Sequence, residues 1–143
     1  TSNNIMISND RKLIIILLTL MLDVSFIYIL ATETLNSFDY KYINSLLFTH
    51  VIFILAMFYN KKLLIDVCHC LIFVAIYLGL VVENMKILLI LFSLSVIQCI
   101  LKYVFGECIL CTSDLTMFGK MVDEYNQYCV YLIIGLLLYK ILM

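Results

Sequence analysis

Five long apolar stretches occupy most of this chain, and their lengths constrain its fold more than any other feature. They cover about residues 13–31, 43–59, 63–82, 87–105 and 128–143. A bilayer core about 30 Å thick requires roughly 20 helical residues, with about 17 near the lower limit. The first four stretches meet that requirement, and their continuous apolar runs argue against a β-barrel. The sequence therefore predicts an all-α polytopic membrane protein, a single domain over 1–143 with about five transmembrane helices, four of them secure.

Composition agrees with lipid as the main solvent of the chain. Hydrophobic residues make up 65% of the sequence and charged residues 13%, whereas soluble domains are nearer half apolar and a quarter charged. A net charge of −1, without a basic arm or an acidic tail, gives no sign of a nucleic-acid partner. We therefore expect the lipid bilayer and other protein subunits as partners.

The distribution of Lys and Arg predicts the orientation of the helices. The basic start of the chain resembles a signal peptide, but the apolar run is too long and lacks a small-residue cleavage site, so we expect a retained first helix. A cytoplasmic N-terminus would place on that side Arg11, Lys12, Lys61, Lys62, Lys102 and Lys120, and on the other side Lys41, Lys86 and Lys140. The excess on the first side predicts a cytoplasmic N-terminus.

The connections between the stretches predict which helices are neighbours. Residues 60–62 and 83–86 form two short turns, so stretches two and three, and three and four, are expected to be antiparallel neighbours. The long polar connection, 106–127, contains Ser113, a typical N-cap residue, followed by apolar residues at helical spacing. It predicts a short amphipathic helix on the membrane surface, with a soluble partner-binding helix as the alternative.

Six polar side chains lie inside the first four stretches, where lipid tails disfavour them. We call them the polar seam: Asp23, His50, Asp66, His69, Gln98 and Lys102. Asp66 precedes Asn84 by 18 residues and Lys102 follows it by 18, so both are expected at the same depth. His69 and Gln98 share a helical face with them. The spacing predicts an Asp66–Lys102 ion pair, with His69 and Gln98 further in.

Asp23 and His50 are the members of the seam for which the sequence predicts no obvious partner. Depth counting places His50 within about a turn of His69, and Asp23 near the middle of stretch one. Three interpretations stay open: structural contacts between helices, a proton or ion path, and a b-type haem bound by His50 and His69. The structural one is preferred, because haem pockets need small residues and Gly79 is the one glycine in stretches one to four.

Six cysteines offer a second kind of chemistry: Cys68, Cys70, Cys99, Cys108, Cys111 and Cys129. On a helix Cys68 and Cys70 point about 200° apart, so they are interpreted as buried free cysteines. Cys108-Ile109-Leu110-Cys111 places two sulfurs on one side, as in redox pairs and zinc half-sites. A zinc site that also used Cys99 and Cys129 would need an improbable geometry, and no metal is expected.

The Cys108 and Cys111 pair, with the general hydropathy, is similar to the vitamin K epoxide reductase family. That family places a Cys-x-x-Cys in a small helical membrane bundle, and the resemblance implies a thiol–disulfide oxidoreductase. The family has a second cysteine pair in its first loop, and residues 32–42 here contain no cysteine. In addition, Glu107 would raise the pKa of a neighbouring thiol, which disfavours the reactive thiolate.

No catalytic constellation is complete, and the polar connections are too short for a binding domain. We therefore predict a structural or assembly subunit of a larger membrane-associated complex, without catalytic residues or cofactor. The abundance of Phe and Tyr and the scarcity of Gly and Pro are typical of AT-rich genes, so a virion inner membrane or an organellar complex is a reasonable setting. The alternatives are a membrane redox protein, using Cys108 and Cys111 or a bis-His haem, and a proton-conducting protein.

Overall fold

A computed structural model gives the fold, and it describes residues 9–106 and 117–143. Over those residues the regular elements are all helical. They are α1 (Asn9–Thr32), α2 (Ser37–Phe58), α3 (Lys62–Leu78), α4 (Met85–Phe105) and α5 (Met117–Leu142), with a 3-10 turn at Gly79–Val81 that follows α3 directly. The predicted all-α class is confirmed.

Four of the helices are long and apolar enough to cross a membrane. These segments are Asp10–Thr32, Ser37–Phe58, Lys62–Val81 and Met85–Phe105, and they correspond to the first four predicted stretches. Among these four, the largest difference between predicted and observed bounds is at the start of α2, which begins at Ser37 rather than at 43. Asn36 caps this helix, because its side chain accepts a hydrogen bond of 2.7 Å from the Asp39 backbone N–H. The first turn of α2 is polar, so hydropathy alone did not include it.

The described part of the predicted amphipathic helix, from Met117 onward, belongs to a longer helix. α5 runs without a break from Met117 to Leu142, and its apolar part, Tyr128–Leu142, is shorter than the other four spans. The prediction of two helices was wrong because no Gly or Pro lies between 120 and 134 to end the first one. The predicted N-cap, Ser113, lies outside the described residues.

The close backbone contacts between helices do not all join helices that are consecutive in the chain. α2 packs extensively on α3 across the turn at Asn60, whose φ of 52° is left-handed. α1 packs on α2 and α4, whereas α5 packs on both α3 and α4. Over the described residues the backbones of α3 and α4 do not approach closely, and the two helices share the core through side chains such as Ile76 and Leu91. Their close packing as neighbours stays a prediction. A short connection holds only the ends of two helices together, and α5 contacts both of them.

The main core joins residues from all five helices: Phe26, Ile29, Tyr42, Ile43, Leu46, Ile76, Val82, Ile87, Leu88, Leu91, Ile133 and Leu137. Gly79 permits a close approach at its centre, because a Cβ there would overlap Leu91 Cδ1 and lie 3.2 Å from the Tyr42 hydroxyl. That hydroxyl donates a hydrogen bond of 2.6 Å to the Ala75 carbonyl. A buried tyrosine therefore links α2 to α3 beside the glycine.

Candidate functional site

Asp23 and His50, which the sequence left without partners, are partners of each other. The Nδ1 of His50 lies 2.6 Å from Oδ1 of Asp23, joining α1 to α2 inside the bundle. His50 is 3% exposed, and Asp23 is half-buried. The signal for this pair was present, because counting from the 33–36 connection places the two residues within about one turn in depth. Counting from the other end of α2 alone does not reveal it.

The Asp23–His50 pair can hold a proton between its two partners and orient the imidazole ring. A hydrogen bond from Nδ1 to a carboxylate fixes the tautomer of a histidine and leaves Nε2 for another role. His50 also lines a cavity of about 10 Å³ whose other walls include Phe26, Ile76 and Leu91. Apolar cavities of that size stay dry, because a water molecule needs roughly 10–15 Å³ and polar partners.

The same packing does not fit a haem at His50. A porphyrin ring is many times larger than the cavity of about 10 Å³ beside this imidazole. The bis-His haem with His69 therefore finds no pocket at this site.

The remaining members of the polar seam divide by burial. Asp66 and His69, one turn apart on α3, are both buried, and both take part in polar or electrostatic contacts. Gln98 and Lys102 are half-buried on α4. The predicted Asp66–Lys102 ion pair would join α3 to α4. That ion pair stays a prediction.

The cysteine chemistry falls in two parts of the chain. Cys108 and Cys111 lie outside the described residues, so their pairing stays a prediction. The described cysteines are free thiols: Cys68 is buried, and Cys70, Cys99 and Cys129 are half-buried. Both Cys68 and Cys70 were predicted to be buried free cysteines; Cys68 is buried, whereas Cys70 is only half-buried.

A polar cluster that sequence reasoning missed joins the connection between α1 and α2 to the start of α4. We call it the loop cluster, and its members are Glu33, Asn36, Asp39, Glu83, Asn84 and Lys86. At its centre the carboxylate of Asp39, 1% exposed, accepts hydrogen bonds from the backbone N–H of Asn84 at 2.9 Å and of Glu83 at 3.3 Å. This carboxylate supplies acceptors to backbone donors that the first turn of α4 cannot satisfy.

The rest of the loop cluster consists of side-chain contacts around this carboxylate. The Asn36 amide donates to the Glu83 carboxylate at 2.9 Å, and Lys86 forms an ion pair with Glu33. The hydrogen bond from Lys86 lowers the pKa of the Glu33 carboxyl. Hydropathy does not reveal this cluster, because its members have the same polar character as solvent-exposed residues in any connection between helices. The one sequence signal was Asp39 in the first turn of α2.

The outward face of α5 carries an aromatic set that the bundle does not use. Tyr128, Tyr131 and Tyr139 are 76%, 71% and 63% exposed. Gly135 lies on the same face, and a Cβ added to it would meet nothing within 4 Å. Packing among the described residues therefore does not require this glycine, in contrast to Gly79.

Comparison with protein-family models, with curated proteins and with solved structures finds no match.

Proposed function

We propose that this chain is a multi-pass integral membrane protein that acts as a structural or assembly subunit of a larger membrane-associated complex. A virion inner membrane or an organellar complex is the setting that its composition favours. The observation that carries the proposal is the outward face of α5, defined by Tyr128, Tyr131, Gly135 and Tyr139.

Tyrosine hydroxyls on that face need hydrogen-bond partners. Lipid tails offer no acceptors, so a tyrosine at tail depth is best satisfied by a neighbouring protein helix. Gly135 leaves a shallow notch between Tyr131 and Tyr139, and small residues allow two helices to approach closely in a membrane. A partner helix on α5 would fill the notch and meet the hydroxyls.

The interior of the bundle supports a structural role as well. Asp23 and His50 contact each other, and Asp39 accepts hydrogen bonds from two backbone N–H groups. Both contacts join separate helices, which is a sufficient reason for buried polar groups. The hydroxyl of Ser95 donates within its own helix to Leu91 O.

Gly135→Leu is expected to abolish assembly without weakening the chain itself. Nothing lies within 4 Å of the added Cβ, and Leu is a better helix former than Gly by roughly 0.8 kcal/mol. The full chain carrying the substitution should unfold at the same temperature as the wild type or slightly above it. After extraction in mild detergent it should run as a single chain, whereas the wild type runs as a larger complex.

Ser45→Leu is the matched control, because Ser45 is an exposed small residue on α2. It adds the same side chain to a different outward face and should leave the complex intact. A complex unchanged by Gly135→Leu, or a wild type that runs as a single chain, would contradict the proposal.

Proton conduction is a second candidate, and the Asp23–His50 hydrogen bond of 2.6 Å favours it. Two titratable groups in contact inside apolar helices are a recurring feature of proton pathways. It predicts proton flux by the wild type in liposomes, lost in Asp23→Asn and retained in the control Glu33→Gln, in the connection between α1 and α2. A wild type without flux excludes this candidate.

A further inference from the structure

A long groove separates α1 from α4 on the outside of the bundle. Two cavities, of about 250 Å³ and about 430 Å³, adjoin along it and share the residues Ser25, Leu89 and Ile90. They extend from Lys86 at one end to Ile97 at the other. We call this feature the α1–α4 groove.

The length of the groove matches one leaflet of a bilayer. Ile97 lies eleven positions after Lys86, a rise of about 16 Å along a helix, and half of a hydrocarbon core is about 15 Å. Lys86 lies in the first turn of α4, beside the loop cluster. The groove therefore runs from the predicted headgroup level to the middle of the membrane.

The side chains that line the groove are mostly apolar. Leu, Ile and Met side chains form most of the lining, and the hydroxyl of Ser25 is already bonded to the Met21 carbonyl at 2.9 Å. Ser25 and Ser93 are small, so they widen the space between the two helices without offering a strong polar site. A hydrocarbon chain fits this lining.

The mouth of the groove carries one positive and one negative group side by side. Lys86 lines the groove and pairs with Glu33, and their side chains remain 53% and 28% exposed. An ammonium has three donors and a carboxylate has two oxygens, so each can bind a further partner. This pair of charges complements a headgroup that contains both a phosphate and an amine.

We propose that the α1–α4 groove binds one zwitterionic glycerophospholipid, with an acyl chain between α1 and α4. Its phosphate lies at Lys86 and its headgroup amine at Glu33. A net anionic headgroup suits the mouth less well, because Glu33 repels it. The proposal is independent of the subunit function and of the α5 face.

Native mass spectrometry of the delipidated full chain tests this site. Phosphatidylethanolamine and phosphatidylglycerol with identical acyl chains are each added back in detergent. We expect one phosphatidylethanolamine per chain, retained about fivefold better than phosphatidylglycerol, the scale of a single partly exposed charge contact. Glu33→Gln should remove that preference, whereas Lys41→Gln, an exposed charge outside the groove, should keep it.

A groove-filling variant, Ser25→Phe with Ser93→Phe, should reduce lipid retention by more than tenfold. Ser45→Phe makes the same change on an outward face of α2 and should bind as the wild type does. Equal retention in the filled and wild-type chains overturns the proposal, as does a dimer mass that the filled variant abolishes, because a second copy would then occupy the groove.

A second measurement covers the case in which the filled variant does not fold. The chain has no tryptophan, so one can be introduced at Leu89 in the groove or at Leu55, an exposed residue outside it. After loading with bromine-labelled phosphatidylethanolamine and dilution into unlabelled lipid, quenching should persist longer for Leu89→Trp. Equal recovery at the two reporters overturns the proposal.

Discussion

Asp39→Ala is expected to lower the free energy of unfolding by about 3 kcal/mol. The substitution strands the backbone N–H groups of Glu83 and Asn84, which now donate to this buried carboxylate, and each unsatisfied buried group costs roughly 1–3 kcal/mol. The start of α4 also loses one of its contacts with α2, while the Asn36–Glu83 hydrogen bond remains. Thermal or denaturant unfolding of the full chain in detergent, followed by far-UV circular dichroism, measures the loss.

Two further variants separate the carboxylate contact from the loss of a charge. Asp39→Asn keeps one acceptor oxygen and should lie between the wild type and Asp39→Ala. Glu124→Ala removes an exposed carboxylate from α5 and should change stability by less than about 0.5 kcal/mol. If Asp39→Ala were no more destabilised than Glu124→Ala, the loop cluster would not stabilise the fold.

Helix positions were predictable from the sequence wherever apolar residues run the length of a helix. The four long apolar helices, α1 to α4, were found for that reason. The boundaries were missed where another force determines them. The start of α2 depends on a side-chain cap at Asn36, and the continuity of α5 depends on the absence of a helix breaker between 120 and 134. Neither feature changes the hydropathy of the chain.

Partner assignment was less predictable than helix position, because depth counting gives height in a bundle but not the neighbour at that height. An Asp66–Lys102 ion pair would have to join α3 and α4, whose backbones do not approach closely because α5 contacts both of them, so that pair stays a prediction. Asp23 and His50 pair between α1 and α2, which do pack. Only a knowledge of the packing order separates these two cases.

The loop cluster could not be predicted at all from the pattern of polar residues. Its central contact joins Asp39 to backbone donors at 83 and 84, which lie 44 and 45 residues away. Backbone groups carry no sequence signature, so a side chain that binds them is indistinguishable from a solvated one until the fold is known. The polar residues that matter most to this fold include some that lie outside the apolar stretches.

Asp23→Leu and His50→Leu are each expected to lower the free energy of unfolding by about 1.5 kcal/mol, and the double variant by only about 1 kcal/mol. Each single change leaves the other polar side chain buried without its hydrogen bond of 2.6 Å, which is the costly outcome. The double variant leaves no stranded group and puts two apolar side chains at the contact. The coupling energy should therefore be about 2 kcal/mol, within the range for residues in direct contact.

Ser95→Ala provides the reference for this double-mutant cycle, because its hydroxyl bonds to Leu91 within α4. Combined with Asp23→Leu it should give additive losses. Additive losses for Asp23→Leu with His50→Leu would instead mean that the two side chains stabilise the bundle independently. The double variant also distinguishes a structural contact from a proton pathway. If the pair only joins α1 to α2, the stable double variant should still assemble into the complex. Loss of proton flux in a stable, assembled double variant would assign the pair to transport.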